Sequence, residues 1–191
     1  MTIQIFDNFL NDKNLEKLES LLYSDNFSWF LSDSMTYDVN KGFKSKIFNV
    51  EKNLLFHTFY TKENSLGINS NHFDFIANMF PFCNNLDNLY QIRGNLVMPS
   101  GIDFRHTTYH VDMYENESTR EKNPIKGAVT AIYYLHGNTS PTIFKTGKLK
   151  RKLVFPRKNR MVIFPNETLH AHYLPVNKKR IVINFNLYSN F

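Results

Sequence analysis

Histidine, aspartate and arginine are the residues of this sequence whose types and spacing could do chemistry. Seven histidines are present, at positions 57, 72, 106, 110, 136, 170 and 172. A neutral imidazole is the commonest metal ligand in proteins. The tripeptide His-x-Asp occurs twice, as His72-Phe73-Asp74 and as His110-Val111-Asp112. The sequence therefore contains two places where a metal site could begin.

The element that carries each tripeptide decides between them. Residues i and i+2 of a strand point to the same face, whereas on a helix they diverge by about 200°. Apolar residues recur at helical spacing before Pro81, so we expect a helix near 70 to 80, which separates His72 from Asp74. The segment FRHTTYHVD is typical of a strand, which places His110 and Asp112 on one face.

A third ligand can come from the later segment ETLHAHYL, which contains His170 and His172. Two histidines and one carboxylate on one side of a metal leave the opposite positions open, and this arrangement suits non-haem Fe(II). Zinc is the competing ion, because the same ligand set occurs in zinc hydrolases. The presence of an anchor for a co-substrate would favour iron.

Arg180 is the candidate anchor. It lies ten residues after His170 and opens the strand RIVINFNL. An arginine can hold a carboxylate through two parallel charge-assisted hydrogen bonds, which would fix a small dicarboxylic acid against the metal. Alone, Arg180 would more simply belong to a solvated cluster with Lys178 and Lys179.

The elements that must position these residues are mostly strands. We expect a strand at 3–6, a helix at about 12 to 24, the helix near 70 to 80 and aromatic-rich strand-like segments at 27–31, 43–50 and 54–60. After Asn88, seven or eight short strands follow one another: YQIRGNLVM, FRHTTYHVD, KGAVTAIYYL, PTIF, KLVF, NRMVIF and KRIVINFNLY. This pattern predicts an α+β, mainly β fold, with N-terminal helices packed against an antiparallel sandwich or jelly roll.

Composition limits the remaining possibilities. The chain has 191 residues, which we expect to form a single domain over 1–191. Cys83 is the only cysteine, so an intramolecular disulfide and a cysteine-based zinc or iron–sulfur site are excluded. The N-terminal residues lack the pattern of an export signal and no apolar run is long enough to span a bilayer, so we expect a cytoplasmic protein that does not span a membrane.

The positive charge is local. The net charge is +6, yet residues 145–160 alone contribute +8, so the rest of the chain sums to 6 − 8 = −2. A solvated turn is the simplest explanation of this segment, and an acidic substrate or partner is the functional one. Nucleic-acid binding in general is not favoured. The eight basic residues are Lys145, Lys148, Lys150, Arg151, Lys152, Arg157, Lys158 and Arg160.

The order of these motifs resembles the Fe(II)/2-oxoglutarate-dependent oxygenases of the prolyl-4-hydroxylase-like group, in particular the small microbial and phage type. After the second His-x-Asp come the strand VTAIYYL (129–135), a Thr-x-Phe (142–144), an Asn-Arg opening a strand that ends in Phe-Pro (159–165), then His170 and Arg180. The segments FSWF (27–30) and IRGNL (92–96) are also similar. The specific part lies in residues 90 to 188.

The resemblance implies a double-stranded β-helix in which His110, Asp112 and His170 bind Fe(II). His170 is preferred over His172 because the distal histidine of the family precedes the basic residue by about ten positions. Arg180 would bind 2-oxoglutarate, with polar contacts from Tyr134, Asn95 and Thr142. The implied reaction uses O₂ and yields succinate and CO₂ while a peptide, an amino acid or another small substrate is hydroxylated. Ascorbate is a candidate for an additional cofactor.

Two alternatives stay open at this point. The first is a cupin-like metal-binding sandwich that does not use 2-oxoglutarate and binds metal through His170 and His172. It leaves Arg180 without a role. The second is an oxygenase directed at nucleic acid, which the charge alone suggests. The sequence does not identify the substrate, and the protein could be a monomer or a homodimer.

Overall fold

The computed structural model describes residues 2–31, 54–62, 67–101, 106–116, 121–138 and 140–189. Its helices are α1 (Asp12–Leu22) and α2 (Phe73–Met79), the latter followed by a 3₁₀ turn at Pro81–Asn84. No helix in these ranges is long and apolar enough to cross a membrane. The strands are β1 (Gln4–Asp7), β2 (Phe30–Leu31), β3 (Leu54–Thr61), β4 (Gly67–Ile68), β5 (Leu89–Val97), β6 (Tyr114–Asn116), β7 (Glu121–Pro124), β8 (Val129–Tyr134), β9 (Thr142–Lys145), β10 (Arg151–Val154), β11 (Arg160–Pro165), β12 (His170–His172) and β13 (Arg180–Leu187).

Eight antiparallel strands form the larger sheet, in the order β1-β11-β8-β13-β5-β3-β2, with β4 paired to β3. In its centre, Val182 of β13 lies opposite Tyr134 of β8 on one side and Asn95 of β5 on the other. Opposite residues of an antiparallel pair point to the same face, and side chains alternate along each strand. Arg180 and Asn186 therefore share the face of Val182.

A smaller sheet of three strands, in the order β10-β9-β12, closes over that face. Phe144 of the smaller sheet packs with Ile132, Val162 and Val182 of the larger one in a buried apolar cluster. The metal-binding candidates project into the space beside this cluster. Two antiparallel sheets facing each other in this way form the predicted jelly roll, so the mainly β prediction is confirmed.

Both helices cover the other face of the larger sheet, as predicted. Asn11 is the N-cap of helix α1, and its side-chain carbonyl accepts a hydrogen bond from the backbone N–H of Asn14 (2.9 Å). Its buried Leu18 and Leu22 belong to the same apolar cluster as Ile76 of α2 and Phe185 of β13. Each leucine buried in this way contributes about 1.5–3 kcal/mol, which holds the helices to the sheet.

The structure differs from the sequence prediction in several places, including the unpredicted short strands β4, β6 and β7. FRHTTYHVD is not a regular strand within its described residues: it makes isolated bridges at His106 and His110, opposite Tyr173 and His170. His110 bonds the backbone carbonyl of Thr108 through its own ring (2.9 Å), and such local bonds compete with a strand ladder. Residues 170–172 form a short strand, which the seven segments above did not include. The expected segment at 43–50 lies outside the described residues.

Candidate metal centre

Backbone pairing brings His110 and His170 together. The N–H of each residue donates to the carbonyl of the other, both at 3.0 Å, and the two imidazole rings lie 4.5 Å apart between centroids. His170 is held further by Phe144 and Phe164, whose rings lie 6.2 and 4.9 Å from its own. The apolar core thus fixes one candidate ligand, His170, and the backbone pairing fixes the other, His110.

Asp112 completes the group. Its Oδ1 lies 3.5 Å from His110 Nε2 and 3.7 Å from His170 Nε2. One potential ligand atom from each of the three residues lies within 4.8 Å of the others, and they form the one group of three His, Cys, Asp or Glu residues of this kind in the described ranges. This separation leaves room for an ion among the three atoms.

The remaining nitrogen of each imidazole is already used. His110 Nδ1 lies 2.9 Å from the Thr108 carbonyl oxygen, and His170 Nδ1 lies 3.2 Å from that of Thr168. A carbonyl oxygen only accepts hydrogen bonds, so it selects the tautomer with the proton on Nδ1. In the neutral form of each ring, the Nε2 lone pair therefore faces Asp112, and this is the form in which a histidine binds metal.

The electrostatics favour a cation. Burial would raise the pKa of Asp112, but His170, His110 and a hydrogen bond from the Thr130 hydroxyl outweigh it and lower this pKa to about 2. Burial lowers the pKa of His170 to about 4. Burial would also lower the pKa of His110, but its hydrogen bond and attraction to Asp112 raise it above its usual value. The carboxylate is thus anionic and partly buried.

Asn186 and Asn166 support this group, although the sequence did not single out either one as a site residue. With its amide nitrogen facing the acceptors, Asn186 donates to Asp112 Oδ2 (3.2 Å) and to Thr130 Oγ1 (3.3 Å). Asn166 accepts from the backbone N–H of Met113 (3.0 Å) and donates to its carbonyl (2.8 Å). The sequence predicted a turn at Pro165-Asn166. The hydrogen bonds from the Asn166 side chain to Met113 could not be predicted, because no sequence pattern indicates them.

A second buried group lies on the same inner face. Thr142 Oγ1 is 2.6 Å from the Tyr134 hydroxyl oxygen and 3.1 Å from Arg180 Nη2. Arg180 is 4% exposed, and among the described residues its Nε has no hydrogen-bond partner and no carboxylate forms an ion pair with it. The structure thus brings Arg180, Tyr134 and Thr142 together, as the sequence predicted.

The charge of Arg180 is poorly compensated by the residues that the structure describes. Burial lowers the pKa of its guanidinium, although the contact with Tyr134 opposes this effect, and burial raises the pKa of the Tyr134 phenol. A buried charge without a counter-ion is unfavourable. A bound carboxylate could accept two hydrogen bonds from this guanidinium and compensate its charge.

Asn95 and His172 occupy different positions around this group. Asn95 shares the inner face by register with Val182, but within the described ranges no hydrogen bond joins it to Arg180, Tyr134 or Thr142. His172 lies opposite Thr142 and outside the group of three metal-ligand candidates. Burial, and next the charge of Arg180, lower the pKa of His172 well below its usual value.

The first His-x-Asp tripeptide forms no such group. His72 precedes helix α2 and its ring lies 5.5 Å from that of Phe27, while Asp74 is exposed in the first turn. The neighbouring His57 bonds the Ser28 carbonyl (2.7 Å) and the Ser70 hydroxyl (2.8 Å). These histidines contact other side chains and backbone groups, and His72 and Asp74 form no joint metal site in the described ranges, as the helix prediction implied.

The basic segment divides into two parts. Three of its cations contact acidic side chains of the N-terminal region: Arg157 and Arg160 contact Asp7 (3.7 and 2.6 Å), and Lys158 contacts Glu19 (2.9 Å). The other five are exposed on the β9–β10 hairpin and have no acidic partner within the described part of the chain. They are Lys145, Lys148, Lys150, Arg151 and Lys152.

Comparison with known proteins supports the family resemblance and the fold. Residues 102–188 match the family model of the 2OG-Fe(II) oxygenase superfamily. The matched range contains His110, Asp112, His170 and Arg180. The resemblance predicted from the sequence is thereby confirmed. No curated protein matches the chain.

Solved structures of low sequence identity share the fold. A prolyl hydroxylase from Trichoplax adhaerens, in complex with a peptide fragment of the hypoxia inducible factor oxygen degradation domain, has a TM-score of 0.62 at 14% identity, covering 98% of this chain and 83% of its own. A prolyl-4-hydroxylase from Pseudomonas putida has a TM-score of 0.61 at 11% sequence identity, and the match covers 99% of this chain and 93% of that protein. A viral collagen prolyl hydroxylase from Paramecium Bursaria Chlorella virus-1 has a TM-score of 0.54 at 15% sequence identity, and the match covers 100% of this chain and 97% of that protein.

Proposed function

We propose that this chain, an Fe(II)- and 2-oxoglutarate-dependent oxygenase, hydroxylates a peptide, an amino acid or another small substrate. His110, Asp112 and His170 are the proposed iron ligands, and Arg180 with Tyr134 and Thr142 is the proposed site of the 2-oxoglutarate side-chain carboxylate. The observation that carries the proposal is the convergence of two Nε2 atoms on one oxygen of Asp112, at 3.5 and 3.7 Å.

The residues present fit the metal and the co-substrate. Two neutral imidazoles and one carboxylate on one side leave the other coordination positions open, as Fe(II) oxygenases require. The unsatisfied Nε of the buried Arg180 fits a carboxylate. When bound, the iron supplies the oxidising chemistry, in which 2-oxoglutarate and O₂ become succinate and CO₂ as one oxygen atom enters a C–H bond of the substrate.

The protein's own contribution is positional. The carbonyls of Thr108 and Thr168 keep the Nδ1 protons in place, so that both histidines present Nε2 to the metal. Asn186 and Thr130 bond Asp112 and restrict its rotation. The two apolar sheets exclude water around the buried Arg180, which strengthens its attraction for a carboxylate. Asn95 faces the same interior and is proposed as a further polar contact.

A ligand-induced stabilisation tests the co-substrate site. At a concentration one hundred times its Kd, 2-oxoglutarate should stabilise the Fe(II)-loaded protein by about 2.7 kcal/mol, or roughly 5–11 °C in Tm. Arg180→Ala should retain the metal and lose this shift, since the carboxylate loses its cation. An unchanged shift in Arg180→Ala would overturn the assignment of Arg180. A cupin-like enzyme without 2-oxoglutarate would show no shift in the native protein either.

The substrate class is inferred from the five exposed cations of the β9–β10 hairpin, which have no acidic partner among the described residues. We infer that they favour an acidic substrate, because opposite charges increase the rate and affinity of encounter. A peptide is the proposed form, and the prolyl hydroxylase of Trichoplax adhaerens is a fold relative described with a bound peptide fragment.

Charge reversal on the hairpin tests the acidic substrate. Lys150→Glu combined with Lys152→Glu should reduce hydroxylation of acidic peptides and leave substrate-independent succinate formation unchanged. Lys158→Gln is the matched control, because Lys158 already contacts Glu19. Equal use of acidic peptides by the native protein and the double variant would remove the hairpin from substrate binding.

A further inference from the structure

His172 lies beside the group formed by Arg180, Thr142 and Tyr134. In the pairing of β12 with β9, His172 is directly opposite Thr142, as His170 is opposite Phe144. The Cβ atoms of such opposite residues lie about 4.5–5.5 Å apart on the same face. Because Thr142 Oγ1 contacts both Arg180 and Tyr134, His172 borders the same buried group.

The backbone around His172 is fully held. Its N–H donates to the Thr107 hydroxyl oxygen (3.1 Å), and its carbonyl accepts from the N–H of Thr107 (2.9 Å). Tyr173, the next residue, pairs through its N–H with the Pro141 carbonyl (3.0 Å). The strand therefore fixes the position from which the His172 side chain projects.

One ring nitrogen of His172 has no hydrogen-bond partner in the described part of the chain. Its Nε2 is buried and has no hydrogen-bond partner among the described residues, and the same holds for Nε of Arg180. Buried polar atoms are nearly always hydrogen-bonded, because an unmade bond has a cost in free energy. Two such nitrogens beside one buried group indicate that a polar ligand forms a hydrogen bond with each of them.

We propose that His172 Nε2 donates a hydrogen bond to the same carboxylate of 2-oxoglutarate that Arg180 binds. This inference rests on the proposed function, since it assigns one more residue to the co-substrate site. His172 is the better candidate for the carboxylate than for the metal, because it lies outside the group of ligand atoms that converge within 4.8 Å. The site then has donors from Arg180, His172 and a Tyr134 or Thr142 hydroxyl.

Equilibrium binding of 2-oxoglutarate tests this assignment without turnover. The protein is loaded with Mn(II), and the affinity for 2-oxoglutarate is measured by calorimetry. A hydrogen bond to a charged group contributes enough that His172→Leu should weaken binding about tenfold to a hundredfold. His172→Gln, whose amide nitrogen can reach the position of Nε2, should remain within about threefold of the native protein.

Two controls separate a role in binding from a role in folding. Mn(II) affinity and Tm of His172→Leu should stay close to native values, and His172→Ala serves if the leucine variant fails to fold. His72→Ala, on the other side of the larger sheet, should leave 2-oxoglutarate affinity unchanged. Native-like 2-oxoglutarate affinity in His172→Leu or His172→Ala would overturn the inference alone. Failure of the native protein to bind 2-oxoglutarate would overturn the proposed function and this inference together.

Discussion

The two His-x-Asp tripeptides of this chain have the same pattern and different surroundings. His72 and Asp74 lie at the beginning of α2, where the imidazole packs near Phe27 and the carboxylate is exposed. His110 and Asp112 lie beside β12, where both approach His170. This difference shows that the candidate metal site depends on a neighbouring strand that supplies a third side chain, and not on the tripeptide alone.

Removal of Asp112 is expected to have the largest effect. Asp112→Ala deletes the single negative charge of the group, so metal affinity should fall more than about 100-fold, beyond the 10–100-fold cost of losing an outer hydrogen-bond partner. Iron retention and succinate production should both disappear. Asp74→Ala is the matched control and should leave both at native levels. Metal loss in Asp74→Ala equal to that in Asp112→Ala would break the distinction between the tripeptides.

Removal of a neutral ligand should come next. His170→Ala keeps the charge of Asp112 but opens the coordination sphere next to Phe144 and Phe164, so iron binding measured by metal analysis after dialysis should be lost. His72→Ala should retain iron, since it removes only ring contacts. Full iron retention in His170→Ala would favour a site that uses His172 instead.

An intermediate effect is expected from Asn166. Its amide pins the backbone directly after Asp112 through two bonds to Met113, of 3.0 and 2.8 Å. Asn166→Ala leaves these buried groups unsatisfied, so unfolding free energy should fall by about 1–3 kcal/mol. Metal affinity should fall about tenfold, as for other residues that orient a ligand. A stability loss with unchanged metal affinity would limit Asn166 to a structural role.

The smallest effect on the metal is expected at Ser70, next to the other tripeptide. Ser70→Ala removes the partner of His57 Nε2 (2.8 Å) and an acceptor for the His72 N–H (3.1 Å). Thermal or chemical unfolding should show a loss of about 1–3 kcal/mol, because a buried ring nitrogen becomes unsatisfied. Iron affinity should not change. A marked decrease in iron affinity would show that the two regions are coupled.

Periodic and local features of this chain could be predicted from its sequence. The leucine stripe of α1, the stop at Pro81 and the apolar strands β8, β11 and β13 follow from side-chain alternation and turn residues. The face shared by Tyr134 and Thr130 also follows from period two. These features need only neighbours in sequence.

Features that depend on distant partners could not be predicted in the same way. The segment around His110 has strand composition but is irregular, because its histidine and threonine side chains bond nearby backbone atoms and its pairing with β12 is limited to isolated bridges. The bonds from Asn166 to Met113 span 53 residues. The position of His172 opposite Thr142, with Nε2 buried and without a hydrogen-bond partner among the described residues, depends on the pairing of β12 with β9.

The central claim is that His110, Asp112 and His170 hold an iron ion that binds 2-oxoglutarate directly. Anaerobic addition of 2-oxoglutarate to the Fe(II)-loaded protein is its most direct test, because chelation by a 2-oxo acid gives a weak visible charge-transfer band. We expect the band in the native protein and in Asp74→Ala, and its loss in Asp112→Ala. Absence of the band from the native protein at saturating Fe(II) and 2-oxoglutarate, or its persistence in Asp112→Ala, would contradict the account.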